Sequence, residues 1–341
     1  MKRISALAIL TAILLVAMPL CVHGQEIVIG AVGDIMLAGR WAPFLKSKGY
    51  DHPFGGVTAA LAGSDINLAN LESPIANRGR EFTTKKFRFR AEPEVARAVR
   101  TAGFNLVTLA NNHSMDFGAA ALTETMANLE TADITWIGAG ENLAEARRMA
   151  LFTVKGKKIA FLGYSLTQPV EFFAARQRPG TAPGYDTIFT PDIAKARREA
   201  DYVIVSFHWG KEGQATPTPF QRSIAHKAID AGADVIIGHH PHVLQGIERY
   251  EKGIIFYSLG NFTFASTSRT ADQSVIIRLR LDDTRREAEI LPLDVLYRRV
   301  GFQPRLLSGK PAASVIERLN SLSKALTTEI KSHDKSYFVS F

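Results

Sequence analysis

Asp234-Val235-Ile236-Ile237-Gly238-His239-His240-Pro241-His242 carries an apolar run straight into three imidazoles. An apolar run of this length reads as a buried strand, and its C-terminal end would deliver the histidines to one place. The chain has nine histidines, so three within five residues is a concentration that needs a reason. Neutral imidazole is the commonest protein metal ligand and suits zinc, iron, copper and nickel. On an extended segment His240 and His242 point to one side and His239 to the other. His239 is therefore read as a packing or supporting residue.

Outward from this stretch, apolar strands alternate with amphipathic helices. Glu26 to Val32, Asp65 to Asn70, Leu106 to Leu109, Lys158 to Tyr164, Tyr202 to Phe207 and Ile254 to Tyr257 read as strands. Gly55 to Ala62, Pro93 to Thr101, Phe117 to Thr131 and Pro219 to Ala231 read as helices, the second with Pro at its start and Gly103 past its end. The alternation predicts an α/β architecture. Ser274 to Leu281 and Glu287 to Leu293 flank Asp282-Asp283-Thr284, a hairpin signal, and Ala312 to Lys331 reads as a terminal helix. Gln168 to Thr190 is rich in Pro, Gly and Arg and reads as a long excursion or lid. No internal repeat or domain boundary is evident, so 25–341 is read as one domain, with its core at about 26–265 and a C-terminal hairpin and helix at 270–341.

The N-terminus bounds the compartment. Lys2 and Arg3 precede the apolar run Ile4 to Leu20, and Val22-His23-Gly24 fits a signal-peptide cleavage site, so residues 1–24 are expected to be removed on export to a periplasmic or extracellular location. An uncleaved membrane anchor is the alternative. Cys21 is the only cysteine, and Leu20 before it is bulky for lipid attachment. A cut after Gly24 leaves no cysteine, which excludes disulfides, thiolate metal sites and a cysteine nucleophile. Any metal site must then use His, Asp, Glu and Asn. The net charge of +8 falls to about +6 without Lys2 and Arg3. Arg78 to Arg90 concentrates Arg78, Arg80, Lys85, Lys86, Arg88 and Arg90 with three interleaved phenylalanines. It reads either as a solvated edge or as an anion-binding rim. No nucleic-acid motif accompanies it, and nucleic acid is not an expected partner.

Polar residues follow the strands in order: Asp34, Glu72, Asn112 with His113, His208, and the histidine cluster. Open α/β sheets gather ligands at the carboxyl ends of their strands. Singly, each has a bland reading as a turn cap, a loop carboxylate or a satisfied core histidine. Jointly, they fit a site in which a carboxylate bridges two ions flanked by imidazole and amide ligands.

The motifs Gly33-Asp34, Asn70-Leu71-Glu72, Ala110-Asn111-Asn112-His113-Ser114-Met115-Asp116-Phe117-Gly118, His208-Trp209-Gly210-Lys211-Glu212, Gly238-His239-His240-Pro241-His242 and Ser258-Leu259-Gly260-Asn261-Phe262 together resemble the CapA family of capsule and poly-γ-glutamate synthesis proteins, itself similar to calcineurin-like metallophosphoesterases. The likeness runs from about Ile27 to Phe264. It implies a four-layer αββα sandwich. It also implies a divalent metal cofactor (Mn, Zn or Fe), with Asp34, Glu72 and His242 at a first site and Glu72, Asn112, His208 and His240 at a second. His113 would be a general acid oriented by Asp116, and Glu212 would orient His208 or act as a base. Arg40 and Asn261 are candidate substrate-binding residues; the alternatives are a surface arginine and an asparagine that holds the last loop. One departure stands out. The superfamily's opening Asp-x-His is Asp34-Ile35-Met36 here, and a thioether is a poor ligand for such ions. One tight site and one weak or absent site are therefore expected.

The implied function is metal-dependent hydrolysis or transfer at a phosphoester or amide bond, on an anionic cell-surface polymer or its precursors, beside membrane-bound capsule synthesis proteins. A non-catalytic, polymer-binding assembly subunit is the second reading, and metal-dependent peptide epimerisation a remote third.

Overall fold

The computed structural model describes residues 25–341. The expected signal segment 1–24 lies outside the described residues. The first half of the chain supplies β1 (Ile27–Ile35), β2 (Ile66–Leu71), β3 (Leu106–Thr108), β4 (Thr135–Ile137), β5 (Ala139–Gly140), β6 (Ala150–Val154), β7 (Lys157–Ser165) and β8 (Gly180–Thr181). The second half supplies β9 (Tyr202–His208), β10 (Val235–His239), β11 (Ile247–Tyr250), β12 (Gly253–Phe256), β13 (Gln273–Leu281), β14 (Arg286–Asp294), β15 (Arg305–Leu306), β16 (Lys331–His333) and β17 (Ser336–Ser340).

Two large sheets result. One has the order β16-β17-β14-β13-β1-β2-β3-β4, with β15 beside β14; the other has the order β11-β12-β10-β9-β7-β6. β1 to β4 run parallel, as do β7, β9, β10 and β12, so the carboxyl ends of each set gather at one edge of their sheet. The period-2 alternation of strand side chains partitions the apolar residues. Ile27 and Ile29 of β1 join Ile159, Ile204 and Ile237 of the other sheet in one core between the sheets. On the far face of the first sheet, Ala69 and Val107 pack against Val95, Val99, Leu122 and Leu129 of helices Glu94–Thr101 and Gly118–Thr131. On the far face of the second, Val203, Val205 and Ile236 pack against Phe189, Ile193 and Ala225 of helices Asp186–Glu199 and Pro219–Asp230.

The C-terminal hairpin enters the first sheet at its centre. β13 pairs with β1 over Ile27–Ala31, and β14 pairs with β13. Its turn is closed by Asp282, whose Oδ1 accepts from the Thr284 and Arg285 amides at 2.7 Å each.

Several elements differ from the expectation. β1 runs on to Ile35 through a register shift between Ala31 and Asp34, which places Asp34 inside the strand. The expected helix Gly55–Ala62 contracts to Thr58–Leu61. The expected terminal helix Ala312–Lys331 begins earlier, at Gly309, and ends at Ser323. Lys324–Leu326 forms a 3-10 turn, and the last expected residue, Lys331, opens β16, which pairs with β17. The excursion at 168–190 contains β8 and the start of helix Asp186–Glu199, which the composition masks because Pro191 sits inside that helix. Among the described residues, no helix is long and apolar enough to cross a membrane.

Candidate metal centre

The two sheets meet where their strand ends meet. Asp34 donates its amide to Gly260 O at 3.1 Å and accepts from the Phe262 amide at 2.9 Å, a bridge between β1 and the segment after β12. The backbones approach so closely that a Cβ on Gly33 would lie 1.8 Å from Gly260 O. Glycine is required there because nothing larger fits.

Asp34, Asn70, Glu72 and His208 are all buried at this junction. The Asn70 amide is its hub: Nδ2 donates to Asp34 Oδ1 at 2.8 Å and reaches Glu72 Oε2 at 3.4 Å and His208 Nδ1 at 3.3 Å. Asn111 holds Asn70 in turn. Its Nδ2 donates to Asn70 Oδ1 and Leu71 O at 3.0 and 2.8 Å, and its Oδ1 accepts from the amides of His113 and Ser114 at 3.0 and 2.9 Å. This fixes the turn that presents Asn112 and His113.

Asn112 Oδ1 lies 2.8 Å from His208 Nε2, and Glu72 Oε1 lies 3.4 Å from the same nitrogen. Ligand atoms of Glu72, His208 and His240 fall within 4.8 Å of one another, as do those of Asp34, Glu72 and His242. Glu72 is thus common to two groups. A third group joins Glu212, His240 and His242. Glu212 is exposed and has no hydrogen bond to His208 among the described residues, so the expected orienting contact is not formed.

The histidine loop differs from the extended segment assumed above. His240 and His242 have φ of 96° and 58°, the left-handed region that L-residues rarely adopt. Both nevertheless join the cluster, because the backbone turn re-aims them. His242 Nδ1 sits 3.1 Å from Asp34 Oδ2 and 3.0 Å from Asn261 Oδ1, which places its proton on Nδ1 and its Nε2 3.8 Å from Glu72 Oε1. Asn261 thus holds this loop. His239 does not point away from the chemistry: still in β10 and fully buried, it puts Nδ1 3.3 Å from Asp34 Oδ1.

Burial and neighbouring charges perturb the groups of this cluster. Burial pushes the Asp34 carboxyl up, but the imidazoles of His239 and His242 outweigh it and hold Asp34 well below its usual value. Glu72 is driven well above its usual value by burial and by the Asp34 charge. His208 is pushed well down by burial and by His240, and His240 is lowered to about 3 by burial and by His242. His242 moves the other way, to about 9, because Glu72 and Asp34 overcome its burial. Glu72 Oε1 and His240 Nδ1 are buried without a hydrogen-bond partner. Buried acceptors rarely remain orphaned. A cation among these groups would satisfy Glu72 Oε1, offset the second carboxylate and use the imidazoles of His208 and His240, which are held neutral. The residues therefore fit a divalent metal ion, and the cluster can hold one.

Beside the cluster lies a buried histidine–aspartate pair. His113 Nδ1 is 2.6 Å from Asp116 Oδ2, and Asp116 is fully buried. Burial lowers His113 despite Asp116. Lys85, one cation of the basic stretch, turns inward to Asp116 Oδ1 at 2.6 Å, to His113 Nδ1 at 2.9 Å and to the Asn112 carbonyl. Nothing in the sequence separates Lys85 from its five basic neighbours. Arg40 is exposed, with its guanidinium 5.1 Å from the Trp41 ring centroid, and no hydrogen bond ties it to the cluster among the described residues.

The family model "Bacterial capsule synthesis protein PGA_cap" matches residues 28–266. The chain belongs to this family. It is 33% identical over 315 residues to the capsule biosynthesis protein CapA of Bacillus anthracis, covering 90% of this chain and 74% of that one. It is 35% identical over 268 residues to the PGA biosynthesis protein CapA of Bacillus subtilis (strain 168), covering 77% and 70%. Among solved structures, the NAD nucleotidase NadN of Haemophilus influenzae is similar over 87% of this chain and 56% of that one, at 14% identity and a TM-score of 0.48. The sequence resemblance to the CapA family therefore holds.

Proposed function

We propose that this protein is an exported component of capsule or cell-surface poly-glutamate synthesis, acting as a metal-dependent hydrolase or transferase on phosphoester or amide bonds. The observation that carries this reading is the buried cluster of Asp34, Glu72, His208, His240 and His242 beside the Asp116-held His113. Membership of the capsule synthesis family supplies the polymer context. The facing sheets with helices on their outer sides support the four-layer αββα reading of the fold.

Glu72, Asn112, His208 and His240 would hold the tighter ion; Asp34, Glu72 and His242 would hold a weaker one, since Met36 brings no ligand. When bound, the ion (Mn, Zn or Fe) supplies Lewis-acid polarisation and charge neutralisation at an anionic substrate oxygen. The protein's own groups do the rest. Asp116 engages His113 Nδ1 and orients the ring, so that a proton on Nε2 can be given to a leaving oxygen or nitrogen, and burial, which lowers His113, makes that proton easy to release. Lys85 keeps Asp116 and the Asn112 turn in place. Glu212, exposed beside His240 and His242, is positioned to accept a proton at the rim. Asn261 steadies His242, and Arg40 is placed to meet substrate only from outside. The partners in this reading are the anionic polymer or its precursors and membrane-bound capsule synthesis proteins, reached through the export signal at 1–24.

The test is turnover of a generic phosphodiester and a panel of γ-glutamyl amides by purified protein. Turnover should require a divalent ion and fall by about 10²-fold or more in His113→Ala. Turnover indifferent to chelator and to His113→Ala would overturn the catalytic reading. Full capsule output from a strain carrying His113→Ala and His208→Ala would instead favour the assembly-subunit reading.

A further inference from the structure

The basic stretch is not a regular strand or helix. Residues 78–90 form a strap pinned to the turn that carries His113. The Arg80 amide donates to Phe117 O at 3.0 Å, the Phe82 amide to Asp116 O at 2.8 Å, and the Phe89 amide to Asp116 Oδ2 at 2.8 Å. Lys85 turns inward, as described above.

The remaining cations divide into two kinds. Arg88 is committed to Glu81 at 3.5 Å and to the Lys85 carbonyl, and Arg90 lies over the Phe117 ring at 4.3 Å. Arg78, Arg80 and Lys86 are exposed and carry no ion pair among the described residues. Beside Lys86 on the strap is Phe87, a large apolar side chain left 61% exposed, with Lys86 Nζ 5.2 Å from its ring centroid. The exposed Arg40 follows Gly39, which packs against the strap: a Cβ on Gly39 would lie 3.0 Å from the Phe89 ring.

We infer that the outer face of the 78–90 strap, with Arg40, is a docking track that leads an acidic, carboxylate-bearing polymer to the metal centre. The inference rests on the polymer-directed reading above and deepens it. Cations without an ion pair at three positions along a strap match a chain of repeating single charges better than one phosphate group. An exposed aromatic among them matches apolar spacers between those charges. A cationic rim beside a buried site also concentrates and orients an anionic ligand. The hydrogen bonds through Asp116 fix the track relative to His113.

The experiment measures binding of fluorescently labelled poly-γ-glutamate to the mature chain by anisotropy at two salt concentrations. Arg80→Glu/Lys86→Glu is compared with wild type and with Lys310→Glu/Lys324→Glu, which makes the same change in net charge at exposed positions outside the strap. The expected result is binding about tenfold weaker and less salt-dependent for the strap variant, and within about twofold of wild type for the control. Both should retain wild-type metal content and turnover of a small phosphodiester, which spans none of the strap. Equal binding by strap variant and wild type, equal weakening in the control, no binding by wild type, or tighter binding of a polyphosphate of matched charge would each overturn the inference. Loss of phosphodiester turnover in wild type would sink the catalytic reading and leave this binding result standing by itself.

Discussion

Glu72→Gln should move stability in opposite directions with and without metal. In the metal-free protein Glu72 is fully buried, its Oε1 lacks a hydrogen bond, and Asp34 stands beside it. An unsatisfied buried acceptor costs about 1–3 kcal/mol, and more if charged. Glutamine keeps that acceptor but cannot ionise, so at alkaline pH, where Glu72 is forced to charge beside Asp34, the chelated variant should exceed chelated wild type by about 1–3 kcal/mol. With an ion at one hundred times its Kd, wild type gains about 2.7 kcal/mol by linkage. The variant has lost the carboxylate common to both groups of ligands and should gain almost nothing. In a chain of this length, each kcal/mol moves Tm by roughly 2 °C. Thermal unfolding followed by circular dichroism, in chelator and in excess Mn²⁺ or Zn²⁺, reads both differences. A chelated variant that melts well below chelated wild type at alkaline pH, or that keeps the full metal-induced shift, would refute the reasoning.

The Asn111 clamp should be dear. Asn111→Ala strands the His113 and Ser114 amides and two buried carbonyl acceptors, an expected loss of about 3–5 kcal/mol in urea unfolding; a loss below about 1 kcal/mol would show the clamp to be dispensable. The chelated protein should also be most stable near pH 6.5. His242 is raised to about 9, so its contribution is complete below pH 6.5 and is lost as pH rises through 9. His240 is lowered to about 3, so its cost is absent above pH 6.5 and grows as pH falls toward 3. His242→Ala should flatten the alkaline limb, worth up to about 3 kcal/mol, and leave the acid limb in place. An unchanged alkaline limb in chemical-denaturation curves across this pH range would contradict the assignment.

The strand ends were legible because apolar runs end abruptly in polar residues. Asp34, Glu72, Asn112, His208 and the histidine loop could be placed together from order alone, and the structure brings them within reach of one another. Position within the loops was not legible. His240 and His242 were paired by a rule for extended chain, yet both stand at positive φ, and His239 contacts Asp34 instead of turning away. Lys85 was hidden among like residues, because a segment without periodicity does not announce which side chain turns inward. Asn70 and Asn111 were visible only as letters in motifs; their role as a hydrogen-bonded scaffold depends on contacts 36 to 41 residues apart along the chain. The sequence reads 312–331 as one helix, yet after Ser323 the chain takes a 3-10 turn over Lys324–Leu326 and enters a strand only at Lys331, where β17 supplies a partner.

Elemental analysis of protein purified without chelator tests the central claim most directly. The account predicts one divalent ion per chain retained through gel filtration, a second bound only in excess metal, and loss of the first in His208→Ala with little effect from Met36→Leu. Protein that carries no divalent ion even after incubation in excess metal, or that binds two with equal affinity, would contradict it.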